Sequence, residues 1–442
     1  MIVQGIAYIN NTLFERVSIF IDEDSGKIID IKVGYNIQAS DKVIDVTKNR
    51  YRILPGFIDL HVHLRDLAYS YKEDYYTGTG AAAKGGIVLV CDMPNTKPPT
   101  NTLDNLKLKV NKARSKALVD YGLYYGSPKD TRELKYVTNH IVGFKFYPED
   151  IFTYFDKNVF GEVANKAANN DLLLVFHAED PRLFNQRAPP GLERTDIAEY
   201  SAIDNIINIT RNLLRHKVKI HITHISSAKS LQLLLKTKKQ YYNEFEVTWD
   251  VTPHHILLDN TMYRINAGLY KVYPTLKTRY DNMRLYLALL NNEVDAITTD
   301  HAPHSLNEKM RPYNEACPGY PGLETVVSLL LTMVNKDLLS LESVVRYYSY
   351  NPARILNLKG LYGVISKGAY ASLTIVDLKA EWKVKAEDFV SKAKYSPFEG
   401  WSLQGKPYLT MVRGKIVFHD NILYSELRGW GKNVRELTET KS

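Results

Sequence analysis

The chain has 442 residues, of which 45% are hydrophobic, 24% charged and 11% aromatic, enough for one large domain or two to three ordinary ones around a sizeable core. This composition excludes a disordered, collagen-like or disulfide-stapled protein, and no run of about 18 apolar residues predicts a membrane span. Its 57 Lys+Arg against 49 Asp+Glu give a net charge of +8, but the basic residues are dispersed, without zinc-finger spacing or an aromatic–basic RNA motif, so neither nucleic acid nor membrane is an expected partner.

Residues 1–50 read as short strands, Ile2 to Tyr8 and Arg16 to Ile21, then a turn at Asp24-Ser25-Gly26 and a strand from Lys27 to Ile31. A different rhythm follows. Nearly continuous apolar runs of strand length recur at Leu54 to Leu64, Ile87 to Met93, Asp120 to Tyr125 and Val142 to Tyr147. Four more lie at Leu172 to Ala178, Val218 to Ile225, Phe245 to Val251 and Asp295 to Asp300. Runs apolar on both faces predict buried parallel strands. Between them Thr102 to Lys116, Val159 to Asn169, Ser227 to Lys238 and Asp281 to Asn291 read as helices. Eight such units over about 250 residues predict an α/β fold, a (β/α)8 TIM barrel, with an open doubly wound sheet as the alternative. The tail returns to the style of the beginning at Ala371 to Leu378 and Tyr408 to Phe418, with a turn at Arg413-Gly414-Lys415. Both chain ends therefore predict one composite β domain, from residues 1–50 and 365–442 including the tail, around a barrel of 51–364.

Catalytic side chains of a barrel project from the C-terminal ends of its strands. The first run ends in His61-Val62-His63, whose i, i+2 spacing places both imidazoles on one face. The fifth ends in His177, the sixth in His224 and the eighth in Asp300. Each alone is weak evidence, since a lone strand-end histidine is usually structural. Four histidines and a carboxylate at one rim predict a site for zinc or a similar divalent ion. Lys145 sits inside the apolar fourth run, Gly143-Phe144-Lys145-Phe146-Tyr147. It is either a lysine snorkelling to the rim or one carboxylated by carbon dioxide, whose new carboxylate would bridge two metals. The pattern does not choose between them. Cys91 and Cys317 suggest no secreted scaffold, and the start Met1 to Gly5 has no signal-peptide character, so a reducing cytoplasm is the expected location.

The segment Gly56-Phe57-Ile58-Asp59-Leu60-His61-Val62-His63-Leu64-Arg65 resembles the opening motif of the dihydroorotases in the amidohydrolase superfamily. Met93 to Thr96, Phe176 to Glu179, Ile222 to His224, Thr252 to His255, Asp300 to His304 and Gly319 to Thr325 agree in order. The setting of Lys145 is similar to the carboxylated-lysine type of the family. The resemblance implies His61 and His63 on one metal and His177 and His224 on another. Carboxylated Lys145 would lie between them, and Asp300 would serve as ligand and proton shuttle. Arg65, Asn95 and His304 would hold the substrate, with the loop at Pro318-Gly319 closing over its ring. The implied reaction is the reversible cyclisation of N-carbamoyl-L-aspartate to dihydroorotate, in pyrimidine biosynthesis, with two divalent ions, zinc being expected. A homodimer and association with aspartate transcarbamoylase are open expectations.

Three departures bear on the site. Asp66-Leu67-Ala68 stands where the family usually has Glu-Pro-Gly after its Arg. Tyr273 takes a substrate-facing position usually Asn or Arg. Thr223 takes the place of a Cys that holds an additional zinc in the animal enzyme, so no third metal is expected, although Asp250 can act behind the ligands. A dihydropyrimidinase, hydantoinase or allantoinase on the same scaffold is the competing enzyme, and a catalytically dead assembly partner the non-enzyme alternative. Arg65 argues against the first two, because their ring substrates carry no side carboxylate there. The full set of ligand types argues against the dead partner.

Overall fold

In the computed structural model, which describes residues 1–35, 42–213 and 217–439, five strands come first in the chain. They are β1 (Ile2–Ile9), β2 (Leu13–Asp22), β3 (Lys27–Val33), β4 (Val43–Val46) and β5 (Tyr51–Pro55). Eight strands of a second sheet follow: β6 (Phe57–Val62), β7 (Ile87–Asp92), β8 (Asp120–Tyr125), β9 (Gly143–Phe146), β10 (Leu173–Phe176), β11 (Lys219–Ile222), β12 (Glu246–Val251) and β13 (Ala296–Ile297). Each lies parallel beside its neighbour in sequence. A parallel bridge between Val62 and His301 brings the last segment back to the first, which nearly closes a (β/α)8 barrel. The strands β14 (Leu373–Lys383), β15 (Ser402–Val412), β16 (Lys415–His419) and β17 (Ile422–Leu423) complete the first sheet, in the order β17-β16-β15-β14-β5-β1-β2-β3 with β4 on β1. Both chain ends thus share one sheet.

Three of the barrel helices start where the sequence offers an oxygen to their free N–H groups. Thr102 caps Leu103–Lys116 by accepting from the Asn105 amide, and Ser227 caps Ala228–Gln240 through Ser230. Thr278 and Asp281 form a reciprocal capping box at the head of Arg279–Leu290. Helices Asp196–Leu213 and Val326–Asn335 stand outside the sequence-predicted set. Residues 326–333 of the second are buried all round, which leaves no amphipathic stripe to read.

Two predicted runs differ from what forms. The run from Leu54 to Leu64 divides at Gly56, and its first part pairs with β1 and β14 in the end sheet. The chain must pass through a tight gap there, since a Cβ on Gly56 would lie 2.4 Å from Val88 and 2.9 Å from the Ser372 carbonyl oxygen. The eighth run is ordered as strand only over Ala296–Ile297. Beyond it Asp59 accepts from the Thr299 amide and Asp300 turns to φ 47°, which ends the pairing.

The tail comes back to the barrel through Asp120, fully buried at the start of β8. Its carboxylate accepts from Arg413 Nε at 3.0 Å, Tyr362 Oη at 2.6 Å and the Lys432 amide at 2.8 Å. Asp120→Ala leaves the Arg413 guanidinium buried without its counter-charge, a loss of about 3–5 kcal/mol. Urea unfolding checks this, and a loss near zero would mean the network contributes nothing net.

Candidate active site

The strand ends gather the chemistry at one rim of the barrel. His61 Nε2 lies 3.3 Å and His63 Nε2 3.2 Å from the same oxygen, Oδ1 of Asp300. The ligand atoms of these three buried residues all lie within 4.8 Å of one another. The His224 ring centre is 5.1 Å from that of His61 and 4.5 Å from that of His177. Lys145 is fully buried and donates from Nζ to Thr223 Oγ1 at 3.1 Å, and Thr223 Oγ1 is 3.1 Å from His224 Nε2. Lys145 therefore does not snorkel: its amine ends among the histidines.

Side chains behind the cluster aim it. Asn95 Oδ1 lies 2.7 Å from His63 Nδ1, so that nitrogen carries the proton and Nε2 keeps its lone pair. Glu179 Oε2 holds His177 Nε2 at 2.8 Å, which leaves Nδ1 as the available donor. Asp250, buried, accepts from the His224 amide and from Thr298 Oγ1, and its other oxygen meets His221 Nε2. Asp59 accepts from the His61 amide at 3.0 Å and from Tyr348 Oη at 2.7 Å. Three residues of the site occupy the left-handed region, Arg65 at φ 58°, His224 at 43° and Asp300 at 47°. Such backbone is costly for residues with a Cβ and persists where surrounding bonds over-determine it.

Burial is the main electrostatic force here. It holds the imidazoles of His61, His63 and His224 well below their ordinary pKa, with nearby positive groups adding to the effect. They are neutral and able to ligate. Burial raises Asp300 to about 7, against the pull of His177 and Lys145. It lowers Lys145 to about 7, against the nearby carboxylates of Asp300 and Asp250.

The cluster forms one wall of a cavity of about 290 Å3. Arg65, Asn95, His304 and Pro318 line it too. Arg65 Nε donates to the Pro303 carbonyl, and Nη2 lies 3.2 Å from His304 Nε2. His304 Nδ1 accepts from Lys72 Nζ at 3.1 Å, so its Nε2–H donates to the Pro318 carbonyl at 3.0 Å. Asp66, the acidic neighbour that could have tied Arg65 down, is engaged instead by Lys116 and the Tyr75 amide. The unusual Asp66-Leu67 turn is built on positive φ at residues 65–67. Gly319 has φ 132°, and a Cβ there would lie 2.6 Å from the Ala302 oxygen, so this loop position requires glycine.

Sequence reasoning missed Glu179 and Arg194 as members of the site. Glu179 carried a signal, two residues after His177. Arg194 carried none, since its loop approaches only in the fold: its guanidinium sits 3.4 Å from the Tyr273 ring centre and pairs with Glu179 at 2.8 Å. The departure at Tyr273 thus places a second guanidinium on the cavity wall.

Two features test the fit of metal ions. His61 Nδ1 and His224 Nδ1 are buried and without partners among the described residues, and neutral imidazoles converge on one carboxylate oxygen. That donor set, mixed nitrogen and oxygen, suits a divalent ion of the zinc type. Among known proteins, the model of the amidohydrolase family matches residues 52–417. The dihydroorotase of Methanothermobacter thermautotrophicus is 36% identical over 425 residues, covering 91% of this chain and 92% of that protein. The dihydroorotase of Pyrococcus furiosus is 37% identical over 417 residues, covering 93% and 91%. Among solved structures, the L-hydantoinase (dihydropyrimidinase) of Arthrobacter aurescens superposes with a TM-score of 0.88 at 27% identity, covering 97% of this chain and 98% of that one. The dihydropyrimidinase of Brevibacillus agri shares the fold, with a TM-score of 0.86 at 23% identity. The chain belongs to the amidohydrolase family, whose members carry a divalent metal centre, and within it to the dihydroorotases.

Proposed function

We propose that this protein interconverts dihydroorotate and N-carbamoyl-L-aspartate in pyrimidine biosynthesis, in the cytoplasm. The observation that carries the reading is Arg65, a buried guanidinium on the cavity wall beside the histidine cluster, with no carboxylate paired to it among the described residues. A substrate carboxylate would complete it. His61, His63 and Asp300 would hold one ion, His177 and His224 a second, and a carboxylated Lys145 would join them, with zinc as the expected metal. Bound there, the ions would acidify a water and polarise the ring carbonyl.

The chain's own groups do the rest. Arg65 and Asn95 Nδ2 orient the substrate carboxylate, His304 lines the same wall and holds the Pro318 carbonyl, and the Pro318-Gly319 loop covers the ring. Asp300 accepts the proton of the attacking water and returns it to the leaving ring nitrogen as the amide C–N bond breaks. In the other direction it accepts a proton from the carbamoyl nitrogen as water leaves. Metal analysis together with a turnover assay on N-carbamoyl-L-aspartate tests the reading. Faster turnover of dihydrouracil or hydantoin than of dihydroorotate would transfer it to the hydantoinases. Sizing with and without aspartate transcarbamoylase tests the expected homodimer and that association.

Lys145→Ala is expected to lose metal and about 100-fold in turnover, with partial recovery on adding a short carboxylic acid. A fully metal-loaded, active variant would rule out the bridging role. The pH dependence of carboxylation follows from burial. A lysine whose pKa is lowered to about 7 is mostly the free amine above pH 7, and below it the free amine falls about tenfold per unit. Mass spectrometry of metal-free protein at fixed dissolved carbon dioxide should show carbamate formation rising up to about pH 7 and then levelling. A rise that continues to near pH 10 before levelling would mean an unperturbed lysine.

A further inference from the structure

A second cavity of about 280 Å3 lies where the end sheet meets the barrel, and its lining shares no residue with the catalytic one. Trp382 and Lys383 end β14 at its wall, Lys406 and Pro407 follow on β15, and Phe418 comes from β16. Ser328, on the barrel helix Val326–Asn335, faces it from the other side. The turn after β14 adds Lys385, Asp388 and Phe389.

Four lysines and two carboxylates line this space. One pair is spent: Lys84 Nζ lies 2.9 Å from Glu324, which also accepts from the Val390 and Ser391 amides. Asp388 stands on the exposed rim. Lys383 and Lys385 stand on the exposed rim as well and Lys406 is half-buried, and none of the three pairs with a carboxylate among the described residues. Two further donors are buried without a partner among the described residues, Ser328 Oγ and Trp382 Nε1, and Ser328 is 1% exposed. Buried donors are normally satisfied, so each unsatisfied one marks a place where an acceptor is missing from the protein itself. The rest of the lining is Asn421 and an aromatic and apolar part from Trp382, Phe389, Phe418 and Pro407.

Three unpaired ammonium groups and two orphan donors beside ring faces select a narrow chemistry. We propose that this cavity binds a small organic phosphate whose dianion lies among Lys383, Lys385 and Lys406 and whose planar ring packs on the aromatic wall. Ser328 Oγ and Trp382 Nε1 donate to its oxygens. A phosphate dianion suits three point-charge donors, and the ring gives the apolar wall its purpose.

Isothermal titration of the metal-loaded full chain with phenyl phosphate tests this, with inorganic phosphate and phenol as the separated halves. Phenyl phosphate should bind saturably and more tightly than either half. The double variant Lys383→Gln/Lys406→Gln should weaken it about 100-fold, roughly tenfold per lost charged bond. Ser328→Ala should weaken it less, and Trp382→Phe should remove the fluorescence change on binding. All of these substitutions are remote from the catalytic cavity, and an unchanged circular dichroism melt shows that the variants fold. Absence of saturable binding overturns the proposal. So does phosphate binding as tightly as phenyl phosphate, or binding that survives the double lysine variant, which would locate it elsewhere, for example at Arg65.

Discussion

Asp300→Asn is expected to lose about 100- to 10,000-fold in turnover of dihydroorotate, the range that general acid–base help contributes. The side chain keeps its shape and one oxygen at the position now 3.3 and 3.2 Å from His61 and His63 Nε2. What disappears is a group able to take and return a proton near neutral pH. Without metal, burial raises the carboxyl to about 7. The loss should therefore fall on kcat more than on KM, and the limb of the pH–rate profile that reports the base should vanish. Metal analysis separates the two roles of the residue. Loss of turnover with the metals retained identifies the proton carrier, and near-normal turnover would mean that another group carries the proton.

Arg65→Met is expected to change which ring the protein accepts. Removing one side of a desolvated charge pair costs about 2–5 kcal/mol, which is roughly 30- to 5,000-fold in kcat/KM. Arg65 is 8% exposed, and its contacts in the protein are to the Pro303 carbonyl and His304, so the loss should come from the substrate carboxylate and not from a broken internal ion pair. Dihydrouracil lacks that carboxylate and should be affected far less, with the metals still bound. This comparison also decides between the dihydroorotase reading and the hydantoinases that share the fold. If the variant loses both substrates equally with its metals intact, Arg65 does not read the carboxylate.

Much of the site was legible because its residues are tied to strand ends. His61 and His63 follow from one i, i+2 spacing on β6, and His177 and His224 each end an apolar run. Lys145 was conspicuous as a charge inside β9, yet its local pattern was equally that of a snorkelling lysine. Only the hydrogen bond from its amine to Thr223, itself in contact with His224, shows where the side chain ends. Arg194 was illegible for the opposite reason. Its segment has no regular pattern, and its partners, Glu179 and Tyr273, come from other loops.

By itself the sequence pointed to the barrel ahead of an open sheet, to the composite sheet of both chain ends and to the order of the strand-end histidines and Asp300. Those features depend on periodicity and on which side of a strand a residue occupies, and both are local properties of the backbone. The tertiary structure alone decided where the first barrel strand begins, why the eighth stops at Ile297, and which oxygen or nitrogen of each side chain is held and which is left for a ligand. Those outcomes depend on contacts between residues far apart in the chain, such as Gly56 against Val88 and Ser372, and Asp59 against Thr299. Sterics and hydrogen bonding at such contacts are set by the closing of the barrel, which no local pattern encodes.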